Sequence, residues 1–410
     1  MGKRPHYVPV RGIRVFLWGR SVGALVEHSP GYYAFEYDSD FLNSGWDISP
    51  LKMPLRDGVG PYVFADFGRN AFMGLPGAIA DSLPDGFGNA VINEWLRQCG
   101  VRGEDVTALD RLAYIGSRGM GALTYEPERS PYGGKPFAVD MRRLTEKARS
   151  VFNSSIGSKD GDDALREIIR VGVSAGGGEA KAVVGWNRET GQFLAGDRDL
   201  PEGFEHWIVK FTPREYPYRG ECEYRVMEQA RACGIDVCEC RLYELDGIRH
   251  FMTRRFDREG GERFHVQTLG ALAHVPPEGG SADYSYDQVF MAIEALGLGY
   301  EAMEQMFRRM AFNVYADESD DHTKNFSFLM RKTGKWELAP AYDLNGGAPP
   351  EADAALDPWS GWHNQHAIKV NGKRSDITDE DLLVVADRFA IGTGRKVLEQ
   401  VKDVLERQGE

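Results

Sequence analysis

In the first 66 residues apolar side chains recur at alternate positions in short runs: IRVFLW from Ile13, VGALVE from Val22, YYAFEYD from Tyr32 and YVFAD from Tyr62. Gly, Pro and Asp break these runs, and alternation with period two between turn formers predicts a small antiparallel sheet over residues 13–66. The period then changes. Over 83–100 and 109–116 the apolar residues fall three and four apart, which predicts two helices, the first with Asp81 and Ser82 as candidate caps ahead of Pro84. GALTYE at 121–126 reads as a strand, and the Pro- and Gly-rich stretch 127–137 reads as a connector and a first boundary.

Two polar-faced helices and a loop near 153–162 are expected next. A second unit opens around Gly172 with a Gly-rich turn, followed by the strands AVVGW and HWIVKF, a helix near 221–233, and strands at 239–245 and 250–256. Helices are expected from about Gln267, Ser285 and Tyr300. Two short strands, NFSFLM and WELA, then precede a Pro/Ala/Gly-rich loop at 346–358 and two terminal helices. Strands giving way to helices predict a small lobe on a helical lobe, with ligands expected between them.

Composition narrows the class. The chain has 410 residues, too many for one small module, and 42% hydrophobic with 27% charged residues is the balance of a globular protein with a full core. Its 49 Lys and Arg against 62 Asp and Glu leave a net charge of −13, so the chain lacks the basic field of an autonomous nucleic-acid binder. DNA would be reached only through a local patch or a basic partner. The five cysteines are few and odd in number for a disulfide framework, which fits a reducing cytoplasm. Cys238 and Cys240 lack CxxC spacing and a neighbouring His, and CECRLYEL alternates as a strand, so both thiols are expected on one strand face rather than on a metal. No apolar run of about eighteen residues occurs, so no membrane span is expected, and the N-terminal basic residues lack the apolar run of an export signal.

The candidate chemistry begins at Asp320-Asp321-His322-Thr323-Lys324-Asn325, between a helix and a strand. An Asp five residues before an Asn is the offset of kinase catalytic loops, where the Asp accepts a hydroxyl proton and the Asn holds a metal ion on the phosphates. Asp343 lies eighteen residues beyond Asn325, after the two short strands, where a second metal carboxylate belongs. Upstream, Lys210 ends the apolar run WIVK as a strand lysine able to pair with nucleotide phosphates. Before it, Gly172 to Lys181 reads GVSAGGGEAK, in which small residues let backbone N–H groups approach an anion. A Walker A loop is excluded, since Gly178 and Glu179 stand where Lys and Ser or Thr belong. Gly-rich loop, strand lysine, Asp-x4-Asn and Asp follow in the order that phosphoryl transfer from a magnesium nucleotide requires. Glu223, on the helix after Lys210, reads as a surface helix glutamate or as a partner of that lysine, and the spacing does not choose between the two.

SAGGGEAKA (174–182), HWIVKF, RRFDR (254–258), DDHTKNFSFL (320–329) and PAYDL (340–344) together resemble the HipA-like serine/threonine kinases of bacterial type II toxin–antitoxin systems. FLWGRSVGAL, LPDGFGN and GSRGMGAL (116–123) resemble that family's N-terminal subdomain, so the resemblance runs over nearly the whole chain. It implies an α+β, bilobal, protein-kinase-like fold with a small N-terminal β-rich subdomain and an all-helical C-terminal lobe. The expected divisions are an N-terminal subdomain at 1–127, a kinase N-lobe-like part at 138–260 and a C-lobe with catalytic loop and metal site at 261–410. The resemblance further implies Asp320 as the catalytic Asp, Asn325 and Asp343 as magnesium ligands, and Lys210 on the ATP phosphates. Ser174, Gly176 and Gly177 would form the phosphate loop, with Ser174 the site of inactivating autophosphorylation. Lys181 would close on phosphate or sit on the following strand, and His322 would lie near the phosphates or pack in the core. Implied partners are a DNA-binding antitoxin, through which alone DNA would be touched, and a protein substrate such as an aminoacyl-tRNA synthetase.

Glu318 and Ser319 depart from the Asn-Thr-like pair usual before the catalytic Asp, and adjacent Asp321 leaves the choice of Asp320 to the five-residue offset. Two other readings stand beside the toxin kinase: a small-molecule or lipid kinase, and a catalytically inactive nucleotide-binding interaction module.

Overall fold

A computed structural model describes residues 8–65, 72–84, 86–129, 136–153, 168, 171, 180–196, 199–275, 283–345 and 365–409. The alternating runs at the start form β1 (Gly12–Leu17), β2 (Arg20–Ser29), β3 (Tyr32–Tyr37) and β4 (Tyr62–Val63). Helices α1 (Gly77–Ala80), α2 (Gly86–Gln98) and α3 (Ala108–Ile115) follow, and β5 (Leu123–Glu126) returns to pair with β1, giving the order β4-β3-β2-β1-β5. Asp81 and Ser82 do not cap α2. Ser82 pairs with the buried Tyr125 hydroxyl at 2.5 Å, and the Asp81 carboxylate is taken by Thr268, 187 positions away.

After α4 (Met141–Asn153), a second antiparallel sheet is built from β6 (Lys181–Trp186), β7 (Phe193–Ala195), β8 (Glu205–Lys210), β9 (Cys240–Leu245) and β10 (Ile248–Arg254), in the order β7-β6-β8-β10-β9, with α5 (Arg219–Ala232) between β8 and β9. A hairpin, β11 (Arg258–Glu259) and β12 (Glu262–Arg263), leads to β13 (His265–Thr268), α6 (Leu269–Ala273), α7 (Tyr286–Ala295) and α8 (Tyr300–Tyr315). Then come β14 (Ser327–Met330), β15 (Trp336–Leu338), α9 (Asp379–Arg388) and α10 (Gly394–Gly409). The class is α+β, as the sequence predicts. The C-terminal half is helix-rich rather than all-helical, because β13, β14 and β15 form a three-stranded antiparallel sheet. Gln267, expected to open a helix, lies in β13, where its side chain and that of buried His265 both reach the Ile48 carbonyl. Where two polar-faced helices are expected ahead of the loop near 153–162, the described residues 136–153 carry the single helix α4; residues 154–162 of that loop, the Gly172 turn and the 346–358 loop lie outside the described residues. Among the described residues no helix is long and apolar enough to cross a membrane.

Two cores flank the second sheet. Ala182, Val184, Trp207, Val209 and Met252 join the first core with the N-terminal sheet and α2 to α4, while Cys240 and Phe251 join the second with α5 and α7 to α10. The first core is thus continuous from Val10 to Met252 and also takes in Met330 of β14. The RRFDR and GSRGMGAL motifs meet in the interior beside it. Asp257 accepts the Gly121 N–H at 2.7 Å and a bidentate pair from Arg255 at 2.9 and 2.8 Å, and Arg258 also reaches its carboxylate. The same guanidinium groups donate to the carbonyls of Gly119, at 3.3 Å from Arg255 and 3.0 Å from Arg258, and of Gly121, at 2.9 Å from Arg258. All three side chains are buried. Burial opposes ionisation of Asp257, but the two cations outweigh it and hold the carboxyl well below the usual carboxylate range.

Removing one member of a buried charge cluster leaves the others uncompensated, which costs about 3–5 kcal/mol. Asp257→Asn is therefore expected to lower the unfolding free energy measured in urea by a matching amount, read as a lower midpoint at unchanged m-value. Because the folded pKa is depressed, the stabilisation is present at neutral pH and is lost as pH falls below about 4. An Asp257→Asn midpoint equal to that of the parent protein at pH 7 would refute the clamp.

Candidate active site

Strand alternation decides which side chains face the site. In the second sheet Lys181, Lys210 and Phe251 stand directly opposite one another on β6, β8 and β10, while the next row, Ala182, Val209 and Met252, enters the first core. The row of two lysines therefore lies on the other face, and both lysines are buried. The Lys210 Nζ lies 5.7 Å from the Phe251 ring centroid, within cation–π range.

Lys210 bridges two carboxylates: it donates to Glu223 Oε1 at 2.5 Å and to Asp343 Oδ1. Glu223 is thus its partner rather than a surface residue. It lies on the stripe of α5 that carries the buried Met227 and Ala230, four and seven positions on, and is itself buried. Asp343 follows the short strands, where Ala341 pairs in parallel with Val237, and adopts the left-handed backbone at φ 57°, rare for a residue with a Cβ. Burial raises the cost of its charge, but Lys210 and Lys181 outweigh it and keep the carboxyl well below the usual carboxylate range.

The loop from Glu318 to Asn325 supplies the opposite wall. Asn325 donates its amide Nδ2 to the Asp320 carbonyl at 2.8 Å, and its own N–H reaches the His322 carbonyl at 2.9 Å, which closes the five-residue turn. The Asn325 Oδ1 is the end of that side chain with lone pairs to offer. Asp320, Asn325 and Asp343 line one pocket together with Glu318 and Asn313. The Asp320 side chain is 43% exposed, with Nε2 of the partly buried His322 at 3.7 Å from its Oδ1. Its carboxyl is raised, first by burial and then by Asp343 and Asp321, against the opposing effect of His322 and Lys210. A carboxylate with raised pKa is the better proton acceptor in general base catalysis.

Asp321 does a different job. It is buried, and both of its oxygens are engaged: Oδ1 by the Ala367 N–H at 2.7 Å, Oδ2 by the Tyr286 hydroxyl at 2.9 Å and His366 Nδ1 at 3.1 Å. Glu318, the departure from the family pair, is buried too, and spans the site from below. Its Oε1 accepts the Asp320 N–H at 3.1 Å and its Oε2 the Asn345 N–H at 2.5 Å, so one side chain ties the loop of Asp320 to the chain just past Asp343. The sequence signal for both was their place beside Asp320. Their task depends on contacts with Asn345, His366 and Ala367, which no local spacing reveals.

Lys181, Lys210, Asp320, His322, Asn325 and Asp343 are thus drawn to one region, while Ser174, Gly176 and Gly177 lie outside the described residues. Cys238 and Cys240 are buried thiols, and burial pushes Cys238 up to about 12. Among the described residues no group of three His, Cys, Asp or Glu side chains is arranged to hold a metal ion. A metal at the pocket would rely on the Asp343 carboxylate and the Asn325 amide oxygen, hard oxygen donors of the kind magnesium takes alongside phosphate oxygens and water.

Two family models match the chain: the HipA N-terminal domain over residues 13–126 and the HipA-like C-terminal domain over 173–408. A Sinorhizobium fredii protein named "Putative kinase Y4dM" is 26% identical over 227 residues, 49% of this chain and 52% of that protein. A Haemophilus influenzae protein named "Putative kinase" is 29% identical over 157 residues, 35% of this chain and 46% of that one. The chain therefore spans about half the length of each of these two relatives. A solved chain from the Shewanella oneidensis MR-1 toxin–antitoxin system HipA, HipB and operator DNA complex superposes with a TM-score of 0.65 over 96% of this chain and 90% of that one. At 16% identity that likeness is one of fold.

The contact between His366 and Asp321 makes a pH prediction. Burial disfavours the imidazolium, but the hydrogen bond and charge of Asp321, with Asp317 and Glu318, outweigh it and raise the His366 pKa. A raised folded pKa stabilises fully below the unfolded value of about 6.5 and loses that contribution as pH rises through the folded value. The stability difference between the parent protein and His366→Asn, from denaturant midpoints, is expected to be largest near pH 6 and to shrink toward alkaline pH. A difference independent of pH would rule out a charged imidazole at this position.

Proposed function

Because the chain belongs to the HipA-like family through both its N-terminal and its C-terminal domain, we propose that it is an ATP- and magnesium-dependent serine/threonine protein kinase, the toxin of a type II toxin–antitoxin system. The observation that carries this reading is the lysine on β8 held between Glu223 and Asp343, opposite the loop of Asp320 and Asn325. In this reading Asn325 and Asp343 hold magnesium, which supplies charge neutralisation on the transferring phosphoryl group.

The chain's own groups do the rest. Lys210 exchanges the Asp343 carboxylate for nucleotide phosphate oxygens while Glu223 continues to hold its ammonium, and Lys181 in the same row adds a second cation. Asp320 takes the proton of a serine or threonine hydroxyl. The hydroxyl oxygen forms its bond to the γ-phosphorus as the bond to the bridging oxygen of the leaving diphosphate breaks, so ADP departs with that electron pair. Glu318 and Asp321 take no part in bond-making; they hold the loop on which Asp320 sits. Ser174 is the proposed autophosphorylation site. A phosphate there adds about −1.5 to −2 charges where the ATP phosphates belong, so the modified protein is switched off.

The family and the superposition onto a toxin–antitoxin complex support an antitoxin partner that carries the DNA contacts, and the net charge of −13 is that of a chain that leaves such contacts to a basic partner. The proposed protein substrate is a translation component such as an aminoacyl-tRNA synthetase, met in the cytoplasm, and its phosphorylation arrests growth.

Incubation of the purified protein with labelled ATP and magnesium is expected to place phosphate on Ser174, located by mass spectrometry. Asp320→Asn should slow this by about 10²–10⁴-fold, the usual worth of a general base, while leaving nucleotide binding in place. Phosphate that appears equally fast in Asp320→Asn would remove that residue from the chemistry. Nucleotide binding without any phosphoprotein, with the synthetases added, would move the assignment to a small-molecule kinase or an inactive binding module.

A further inference from the structure

One route from the N-terminal subdomain to the loop of Asp320 and Asn325 runs through a carboxylate. Asp81, just past α1, turns its side chain onto Thr268: Oδ2 accepts the Thr268 N–H at 2.6 Å and Oδ1 accepts the Thr268 hydroxyl at 3.0 Å. Thr268 is also the N-cap of α6, its Oγ1 accepting the Ala271 N–H at 3.1 Å. The first two amides of α6 in turn serve the loop. Leu269 N–H donates to the Phe326 carbonyl at 2.7 Å and Gly270 N–H to the Thr323 carbonyl at 3.1 Å, so α6 grips the backbone on both sides of Lys324 and Asn325.

The path has little slack. A Cβ at Gly270 would come within 2.9 Å of the Val275 carbonyl oxygen and 3.0 Å of Thr323 Oγ1. On the other side of α6, the Gly77 N–H donates to His274 Nε2 at 3.1 Å, and a Cβ at Gly77 would stand 2.4 Å from the Ala271 carbonyl oxygen. Burial lowers the His274 pKa to about 4, helped by Lys52, so the ring is neutral and able to accept that bond. Helices α1 and α6 are therefore in close contact, and a carboxylate from the subdomain holds the helix whose amides hold the loop.

We propose that Asp81 is a positioning residue for phosphoryl transfer: through Thr268 and α6 it sets the backbone of Asn325, and with it Asp320, so that turnover depends on a docked N-terminal subdomain. The proposal rests on the kinase reading above for its effect on rate, but not for its effect on structure. A carboxylate is required because both of its oxygens accept; an amide at position 81 turns an NH₂ group toward a donor. The nucleotide phosphates are met by Lys181 and Lys210 on the second sheet, which this path does not touch, so rate and nucleotide affinity should separate.

The test is Asp81→Asn in the full chain, read three ways. Amide hydrogen exchange at Leu269, Gly270 and Asn325 is expected to quicken about tenfold or more, while exchange in β6 and β8 stays at the parent rate. kcat for Ser174 phosphorylation should fall about tenfold with KM for ATP within about twofold of the parent value, the pattern of an interaction that matters to the transition state. Thr268→Ala should produce the same phenotype, and the double variant should be no worse than the single ones, because both break one path. Unchanged exchange at Leu269 and Gly270 would overturn the proposal, as would quickened exchange with kcat unaltered. Uniformly faster exchange over the whole chain would also overturn it, since Asp81 would then be a stability residue alone. Should the parent protein transfer no phosphate, the kinase reading fails by itself, and the exchange pattern still decides whether Asp81 positions the loop.

Discussion

A lysine ammonium placed inside a protein needs anions around it, and the site is arranged about that requirement. Lys210 comes from β8, Glu223 from α5 and Asp343 from the turn after β15, three stretches with no local reason to meet. Taking such a charge from water without compensation costs several kcal/mol, so the sheet cannot close with Lys210 inside unless helix and turn both dock on it. The same cation keeps Asp343 ionised in a left-handed backbone conformation that few side chains adopt. The charge that the proposed chemistry would use is therefore also what assembles the place where it would act.

The parts of this arrangement that were legible in the sequence are those set by short spacings. The sheet strands follow from alternation, and the turn from Asp320 to Asn325 follows from a five-residue offset that the Asn325 amide closes by bonding the Asp320 carbonyl. The two adjacent aspartates of that turn differ in surroundings: Asp321 is buried with both oxygens engaged, while the Asp320 side chain stays 43% exposed. What stayed hidden depends on distant partners. Glu223 sits in register with Met227 and Ala230, a pattern that marks it as inward-facing, but only the position of β8 explains why an acid belongs there. Asp81 looks like a cap for the helix after it, since aspartates before helices usually are. Its carboxylate instead serves the cap of α6, and nothing within a few residues of it announces that choice.

RRFDR and GSRGMGAL illustrate a second kind of hidden role. As sequence they mark a family, and as structure they are two halves of one buried charge cluster in which arginines neutralise Asp257 and satisfy glycine carbonyls. Together with the core that runs from the first strand to β10, they join the stretches matched by the two family models into one packed interior. Glu318 and Asp321 play a comparable part at smaller scale, each spending a buried carboxylate on backbone amides from the chain beyond Asp343.

That cluster imposes an order of events on synthesis. The Gly121 carbonyl and the Arg258 guanidinium that binds it are 137 positions apart, and a ribosome extends a chain at about 5–20 residues per second, so the first waits roughly 7–27 s for the second. During that interval the N-terminal sheet exists without the cations that complete it, and its glycine carbonyls must stay hydrated. The wait of Asp81 for Thr268 is longer still, at 187 positions. The nascent N-terminal subdomain is thus an unfinished surface until the chain has grown past Thr268, with its complementary groups still to be made.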